Sequence, residues 1–445
     1  MATRLSTLWK LRLVAGAAGL LAAAASSVAS AATQEELEAK LDALSTQVAE
    51  LRSELAALRA QGAQSVQGAG SPAAPSPVQG PASAVSVGAA EGEVGGVGKV
   101  AWFGYGEFTY ARPEDDRPAT TADLARFVLG AGYRFDDKTR FVSELELEHA
   151  VASADDPGEI EVEQAYIERR LTDRTFGNMG LFLIPVGLLN ENHEPTRYYG
   201  VFRNLVETAI IPTTWREGGF ELQSNTDGGL RWNVGLSTGF NLSKWDATSS
   251  EGLEAPLASI HQELALASAG DLAVFGAVNY TGIPGLRLGG SVFTGDAAQG
   301  QPGFDDNRIT LWEGHARWNP GNWDLSALYS HVHVDNTAPV NTTLVGNPTL
   351  IPEAEFGWYL EGAYRLPLRN EMTLSPFARY ERLNTASSYA FIGAGLTPDP
   401  LDDTEVLTTG INFDFARGVV VKFDYLQFLH DSRSARFDVG IGYQF

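Results

Sequence analysis

The chain ends in Arg436-Phe437-Asp438-Val439-Gly440-Ile441-Gly442-Tyr443-Gln444-Phe445, and this stretch indicates how the protein folds. Every second side chain from Phe437 to Phe445 is apolar or aromatic, whereas the residues between them are charged, polar or glycine. Strict alternation of this kind predicts a β-strand with one apolar face and one polar face. A barrel in a membrane turns such an apolar face outward to lipid and such a polar face inward to water, whereas a soluble barrel does the opposite.

The same alternation recurs along the chain and predicts sixteen strands between residues 99 and 445. Each is about 9–11 residues long, which is the length that crosses a bilayer when the strand is tilted. Short connections, such as 136–139 and 320–322, alternate with long ones, such as 186–215 and 239–270. Short periplasmic turns that alternate with long external loops are typical of transmembrane barrels. The sequence therefore predicts a 16-stranded antiparallel transmembrane β-barrel at 98–445, surrounded by outer-membrane lipid.

Residues 1–31 have the pattern of a signal peptide for secretion. A basic start is followed by an apolar run of small residues and leucine, and Ala29-Ser30-Ala31 is a small-x-small cleavage site. The alternative of a membrane-anchor helix is disfavoured because the apolar run is too short to span a bilayer.

A heptad stripe follows at 32–60 and is formed by Leu37, Leu41, Leu44, Val48, Leu51, Leu55 and Leu58. Apolar residues at this spacing predict a short coiled coil, here in the periplasm, and the alternative is an ordinary amphipathic helix. Residues 61–97 are rich in Gly, Ala, Ser, Pro and Gln, which predicts a flexible linker.

Composition excludes several functions. The chain has 32 Lys and Arg against 55 Asp and Glu, a net charge of −23, which argues against nucleic acid as a partner. It has no cysteine, and its acidic residues repeat along strands instead of forming one isolated catalytic pair. We therefore expect no enzyme activity, no cofactor and no resident metal.

The alternation breaks at 180–217, where an aromatic, charged and Pro-rich segment replaces the strand pattern. Loops this long are usually functional or disordered. We expect this third external loop to fold into the lumen and to narrow it. Its candidate constriction residues are Asn190, Glu191, His193, Glu194, Arg197, Tyr198, Arg203 and Glu207.

An acidic hairpin precedes the loop. Three glutamates on each of two consecutive strands share one face, and they are Glu144, Glu146, Glu148, Glu159, Glu161 and Glu163. A register in which paired positions sum to 307 sets Glu144 opposite Glu163, Glu146 opposite Glu161 and Glu148 opposite Glu159, about 5 Å apart, where like charges are destabilising. Three interpretations stay open, namely a solvated polar wall, a docking surface for Arg197 or Arg203, and a divalent-cation site.

Alternation also places basic side chains in the lumen. If these line walls that face the acidic hairpin, a transverse electric field crosses the pore and tunes ion selectivity. The pore-lining candidates, with one further glutamate from the first strand, are Glu107, Arg126, Arg140, Arg231, Arg287, Arg317 and Arg379.

Several runs resemble a known family, the porins grouped with the phosphate-selective porins O and P. These runs are Gly104-Tyr105-Gly106-Glu107, residues 126–130, 141–149 and 161–166, and the whole segment from Gly180 to Trp215. The resemblance implies a sixteen-stranded homotrimeric porin with an inward-folded third loop. The resemblance ties phosphate selectivity to a lysine cluster and an arginine ladder along the pore. This chain has six lysines, of which Lys422 is the one expected at mid-strand in the lumen.

These observations predict a porin of the Gram-negative outer membrane that passes small hydrophilic solutes or ions by diffusion. One alternative is an anion- or phosphate-selective channel. Another is a structural barrel whose coiled coil tethers the outer membrane to peptidoglycan or to a periplasmic partner.

Overall fold

The computed structural model describes residues 99–153, 156–430 and 435–445. The signal peptide at 1–31, the coiled coil at 32–60 and the linker at 61–97 lie outside the described residues and stay predictions. In the described part, each strand pairs antiparallel with its neighbours in the sequence, and the last strand pairs with the first, so the sheet is closed. The predicted fold class is therefore confirmed.

The sheet has sixteen strands because the short segment Leu366–Pro367 continues the twelfth strand and pairs with the same neighbour. The strands are β1 Val100–Pro113, β2 Thr121–Arg134, β3 Thr139–Glu148, β4 Ile160–Arg170, β5 Thr175–Leu183, β6 Arg216–Asn225, β7 Leu230–Thr238, β8 Leu272–Tyr280, β9 Leu286–Asp296, β10 Arg308–Trp318, β11 Trp323–Val334, β12 Ala354–Tyr364, β13 Thr373–Ser388, β14 Thr404–Ala416, β15 Val419–Phe428 and β16 Arg436–Gln444.

Burial is inverted relative to a soluble protein. Large apolar side chains are exposed on the outer face, as Ile160 (63%) and Leu360 (56%) show. Charged side chains are buried inside, as Glu163 (0%) and Asp438 (0%) show. This arrangement suits lipid outside and a polar lumen inside, and closure leaves no strand edge unpaired, which a hydrocarbon environment requires.

Aromatic side chains mark the end of the barrel that carries the short connections, which we call the short-turn end. Trp102, Phe135, Trp318, Trp323 and Phe445 all lie there and are about half exposed. Aromatic girdles of this kind are usual where a barrel meets the membrane interface. The opposite end carries the long connections and is called the long-loop end.

Helical segments are short and lie in the long connections. They are the 3₁₀ turns Arg117–Ala119, Leu242–Lys244 and Glu251–Leu253, the π-helical turn Val206–Ile210, and the α-helices Pro256–Ile260 (α1) and Thr337–Leu344 (α2). None of the helices in the described ranges is long and apolar enough to span a bilayer.

The third loop, residues 184–215, lies inside the barrel and packs part of its surface against apolar wall residues. Trp215 stacks on Phe240 from the fourth loop, with ring centroids 5.0 Å apart, and meets Phe293 of β9 at 4.5 Å. Ile184 and Ile210 are fully buried in the same cluster. Burying this apolar surface holds the third loop in the lumen, because such contacts are lost if the loop swings out.

Candidate functional site

The base of the third loop is closed by Asn190. Its side-chain nitrogen donates to the carbonyl oxygens of Ile184 (2.7 Å) and Trp215 (2.8 Å), and its oxygen accepts from Trp215 N at 2.7 Å. Asn190 is 4% exposed, so these bonds satisfy backbone groups that water cannot reach. Asn190 therefore positions the loop and does not line an open pore.

Glu207 organises the loop from within. Its carboxylate accepts from the backbone nitrogens of Leu188 and Leu189, both at 2.7 Å, and from Tyr359 of β12 at 2.8 Å. Burial raises the pKa of Glu207, although these hydrogen bonds act in the opposite direction. The charge of Glu207 is therefore enclosed by donors from the loop itself and from Tyr359.

His193 joins the loop to the acidic hairpin. Its Nε2 lies 2.6 Å from Glu163 Oε1 and 2.7 Å from the Tyr105 hydroxyl, while that hydroxyl donates to Glu163 Oε2 at 2.8 Å. Nδ1 lies 2.8 Å from the carbonyl oxygen of Asn190, which can only accept, so Nδ1 carries a proton. His193 therefore connects the loop to the wall through both ring nitrogens.

A second attachment lies on β1, β2 and β15. Arg126 donates to Glu107 Oε1 at 2.7 Å and to the carbonyl oxygen of His193 at 2.6 Å. The Tyr198 hydroxyl donates to Glu107 Oε2 at 2.8 Å, and Lys422 Nζ lies 3.6 Å from the centre of the Tyr198 ring. A buried cation over an aromatic face is attractive, so Lys422 holds the loop by a contact that needs no anion.

The loop also reaches the opposite wall of the barrel. The Tyr199 hydroxyl donates to Asp324 of β11 at 3.0 Å, and its carbonyl oxygen accepts from Arg379 of β13 at 3.1 Å. Asn412 of β14 accepts from Gly200 N at 3.1 Å. Together with the contacts on β1, β2, β4 and β15, these bonds show that the loop crosses the lumen from wall to wall.

Two loop arginines do not make the contacts expected of them. Arg197 Nε lies 3.9 Å from Glu194 in the same loop, and Arg203 donates to Thr213 and Thr214 in the same loop. The interpretation that Arg197 or Arg203 docks on the acidic hairpin is therefore wrong. His193 makes that contact instead, because the segment at 190–193 lies closer to β4.

The acidic hairpin has the predicted register only in part. Glu146 pairs with Glu161 as expected, and Glu148 N donates to Glu159 O at 3.0 Å. A bulge between Glu144 and Leu145 shifts the register, so Glu144 lies opposite Gln164 and not opposite Glu163. The Gln164 amide then donates to Glu144 at 2.7 Å, which replaces a carboxylate pair by a hydrogen bond.

Five arginines lie near the short-turn end, and we call them the arginine ring. Four come from β3, β7, β9 and β10, and the fifth directly follows β12. These are Arg140, Arg231, Arg287, Arg317 and Arg365. Arg287 and Arg317 are direct cross-strand partners. Three members are paired, Arg140 with Glu168 (2.7 Å), Arg231 with Glu191 (2.7 Å) and Arg317 with Asp324 (2.8 Å).

The acidic hairpin and the arginine ring therefore lie at different depths of the barrel. The acidic hairpin has Glu146, Glu148 and Glu161 near the long-loop end, whereas the arginine ring lies near the short-turn end. A transverse field between facing walls stays a prediction. The sequence indicates this position of the ring arginines, because each of them stands within a few residues of a short connection.

A cavity of about 370 Å³ lies between the third loop and the arginine ring. Asn192, Arg197 and Tyr199 of the loop line one side of it, and Arg287 and Arg365 line the other. Among the described residues, Arg287 and Arg365 have no carboxylate within salt-bridge distance. Two cations thus face the cavity without a paired anion.

Several residues in this network were not among the sequence candidates. They are Tyr105, Tyr199, Asp324, Asn412, Asp424 and Gln444. Strand alternation places the five strand residues of this set in the lumen, but nothing local to them indicates which loop atom each one meets.

Comparison with known proteins supports the fold. No family model matches the chain. An uncharacterised protein of Aquifex aeolicus is 29% identical over 334 residues, which are 73% of this chain and 74% of that protein.

Outer-membrane proteins are among the solved structures that are similar in shape, and two of them illustrate the likeness. OmpF of Salmonella typhi, in a complex with daunomycin, has a TM-score of 0.55 and 14% identity, and the match covers 78% of this chain and 97% of that one. A loop L8 deletion mutant of OmpT, an outer membrane protein of Vibrio cholerae, has a TM-score of 0.50 and 14% identity, with 78% and 99% covered. At this identity the likeness shows the barrel fold.

Proposed function

We propose that this protein is a porin of the Gram-negative outer membrane, which passes small hydrophilic solutes or ions by diffusion through a lumen narrowed by the third loop. The observation that carries the proposal is the loop itself, which crosses the lumen and bonds to residues on facing walls. A barrel that only had to anchor or tether would need no polar loop fixed across its interior. The resemblance to the phosphate-selective porins and the outer-membrane barrels of similar shape support the same proposal.

Passage through this lumen needs no covalent chemistry. The outer face is apolar and suits lipid, whereas the inner face is charged and holds water. A solute that enters from the long-loop end would pass the acidic hairpin, then the third loop, and then the arginine ring. We place the filter at the partly exposed loop residues Glu191, Glu194 and Arg197 and at the walls on either side of them. The buried His193 and Tyr198 hold the loop that carries these residues.

A second candidate is an anion-selective channel, which one observation favours. Arg287 and Arg365 face the cavity below the loop and have no carboxylate partner among the described residues. Rings of uncompensated arginine favour anions in pores. The acidic hairpin acts in the opposite direction, so the net preference depends on which ring is closer to the narrowest point.

The test is electrical. Purified, refolded protein in a planar bilayer should give discrete single-channel steps, and the reversal potential in a salt gradient should report the preferred ion. Strong anion preference that inorganic phosphate blocks would support the second candidate. A folded barrel that gives no steps would contradict both.

The assembly is part of the proposal. We expect a homotrimer, because the family resemblance implies one, and native mass spectrometry in detergent measures it. Tethering through the coiled coil at 32–60 is a separate proposal. Deletion of 32–97 should leave single-channel conductance intact, and it should weaken envelope integrity if the coiled coil tethers the outer membrane.

A further inference from the structure

Three carboxylates of the acidic hairpin converge near the long-loop end of the barrel. Glu146 and Glu148 lie on the lumen face of β3, and Glu161 lies directly across from Glu146 on β4. One carboxylate oxygen from each of the three lies within 4.8 Å of the others. Like charges this close are destabilising unless something offsets their repulsion.

Glu146 is the one of these three glutamates whose buried carboxylate has no bonding partner among the described residues. It is 2% exposed, yet its carboxylate makes no hydrogen bond or ion pair with any of the described residues. The neighbouring buried glutamates of β3 and β4 do have hydrogen-bond donors. Glu144 accepts from Gln164, and Glu163 accepts from Tyr105. A buried carboxylate without a partner is costly, so this position indicates a missing counterion.

Among the described residues, Arg216 is the cation that forms an ion pair with this group, and it is already shared. Arg216 lies 2.5 Å from Glu161 Oε2 and 2.9 Å from Glu263 Oε1. The second oxygen of Glu161 is left for another partner. The three carboxylates and Arg216 have a net charge of −2 when all are ionised, which one divalent cation neutralises.

We propose that Glu146, Glu148 and Glu161 bind a divalent cation, with Ca²⁺ as the ion that fits best. Carboxylate oxygens are hard ligands that suit Ca²⁺ or Mg²⁺. Ca²⁺ accepts irregular geometry with six to eight oxygens, whereas Mg²⁺ requires a near-ideal octahedron that two strands of a rigid sheet do not present. Glu148 is only half-buried, so water can enter and complete the shell.

Bound Ca²⁺ would fasten the β3–β4 hairpin at the long-loop end and would remove most of the negative charge from that mouth of the lumen. The site stands apart from the His193 contact, which uses Glu163. It does not depend on whether the barrel conducts.

Terbium luminescence tests the site directly. Tb³⁺ replaces Ca²⁺ at oxygen sites, and nearby aromatic side chains of the barrel sensitise its emission. The full chain, refolded in detergent, should bind Tb³⁺ at one saturable site from which Ca²⁺ displaces it. The double variant E146Q/E148Q should lose at least ten-fold in affinity, and it should fold, because it removes like-charge repulsion.

Glu221→Gln is the matched control. Glu221 is also a buried lumen glutamate, but amides of Asn178 (2.7 Å) and Asn233 (2.6 Å) satisfy it. This variant should bind Tb³⁺ like the unmodified chain. Equal affinity in E146Q/E148Q would overturn the proposal. So would emission that Ca²⁺ does not displace, or that disappears in about 0.3 M KCl, since diffuse attraction of counterions is screened by salt.

Discussion

His193 Nε2 lies 2.6 Å from Glu163 Oε1, and this pair links the third loop to the acidic hairpin. Burial acts to lower the pKa of His193, but the Glu163 carboxylate outweighs burial and raises the pKa above its usual value. The proton on Nδ1 is fixed by the Asn190 carbonyl oxygen, so the second proton on Nε2 makes the ring a cation. The protonated ring is therefore the form that binds the Glu163 carboxylate most strongly and holds the loop to the hairpin.

The first prediction concerns pH. Because the pKa of His193 is raised in the folded loop, the pair contributes fully below the unfolded pKa of about 6.5, and its contribution is lost as pH rises through the higher folded value. Hydrogen exchange of amides at 190–200, corrected for intrinsic rates, should therefore show weaker protection at alkaline pH. H193Q should remove this dependence. Equal protection of the unmodified loop across the range would contradict the assignment.

The second prediction concerns Tyr198. Y198F removes the hydrogen bond to the Glu107 carboxylate and should lower the free energy of unfolding in lipid vesicles by about 1.5–3 kcal/mol. Y198A should cost more, because the contact with Lys422 adds about 1–2 kcal/mol. Y133F, at an exposed rim tyrosine, is the control and should have no measurable effect. If Y198A and Y198F cost the same, the Lys422 contact contributes nothing.

The third prediction concerns the arginine ring. R287Q/R365Q removes the two cations that face the cavity without a carboxylate partner, so the reversal potential in a salt gradient should move toward cation preference. R369Q changes an exposed arginine in a short connection and should leave the reversal potential unchanged. An unchanged potential in the double variant would show that ions do not pass close to the ring.

The fourth prediction separates structure from selectivity in the loop. E207A removes the acceptor for Leu188 N, Leu189 N and Tyr359, so the loop should loosen and the open-channel current should become noisier. Its reversal potential should stay constant, because Glu207 is 3% exposed. E191Q is the counterpart, since it releases Arg231 and should shift selectivity toward anions. A selectivity change in E207A would mean that its charge reaches the pore.

Much of the barrel could be predicted from the sequence because strand alternation is a local signal. Phe437 and Ile441 are exposed and Asp438 is buried, as the alternation of the last strand requires. The Glu146–Glu161 pair was also predictable, since setting the three glutamates of each strand opposite one another gives this pair. The bulge at Glu144 was missed, although its extra residue in β4 moves the outward apolar positions from Ile160 and Val162 to Ile167.

The loop contacts lay beyond sequence reasoning for a different reason. Tyr199 meets Asp324, 125 residues away, and Glu194 meets Gln444, 250 residues away. Polar side chains are abundant on every lumen face, so charge alone allows many pairings. Arg197 and Arg203 were the obvious partners for the acidic hairpin, but the path of the backbone places His193 there.

Single-channel conductance of the unmodified chain beside H193A/Y198A tests the central claim most directly. The claim is that the third loop, held by these two side chains among others, narrows a conducting lumen. We expect discrete steps from the unmodified protein and larger steps from the double variant, with both proteins migrating as folded barrels. No steps from the folded, unmodified protein, or equal steps from the two, would contradict it.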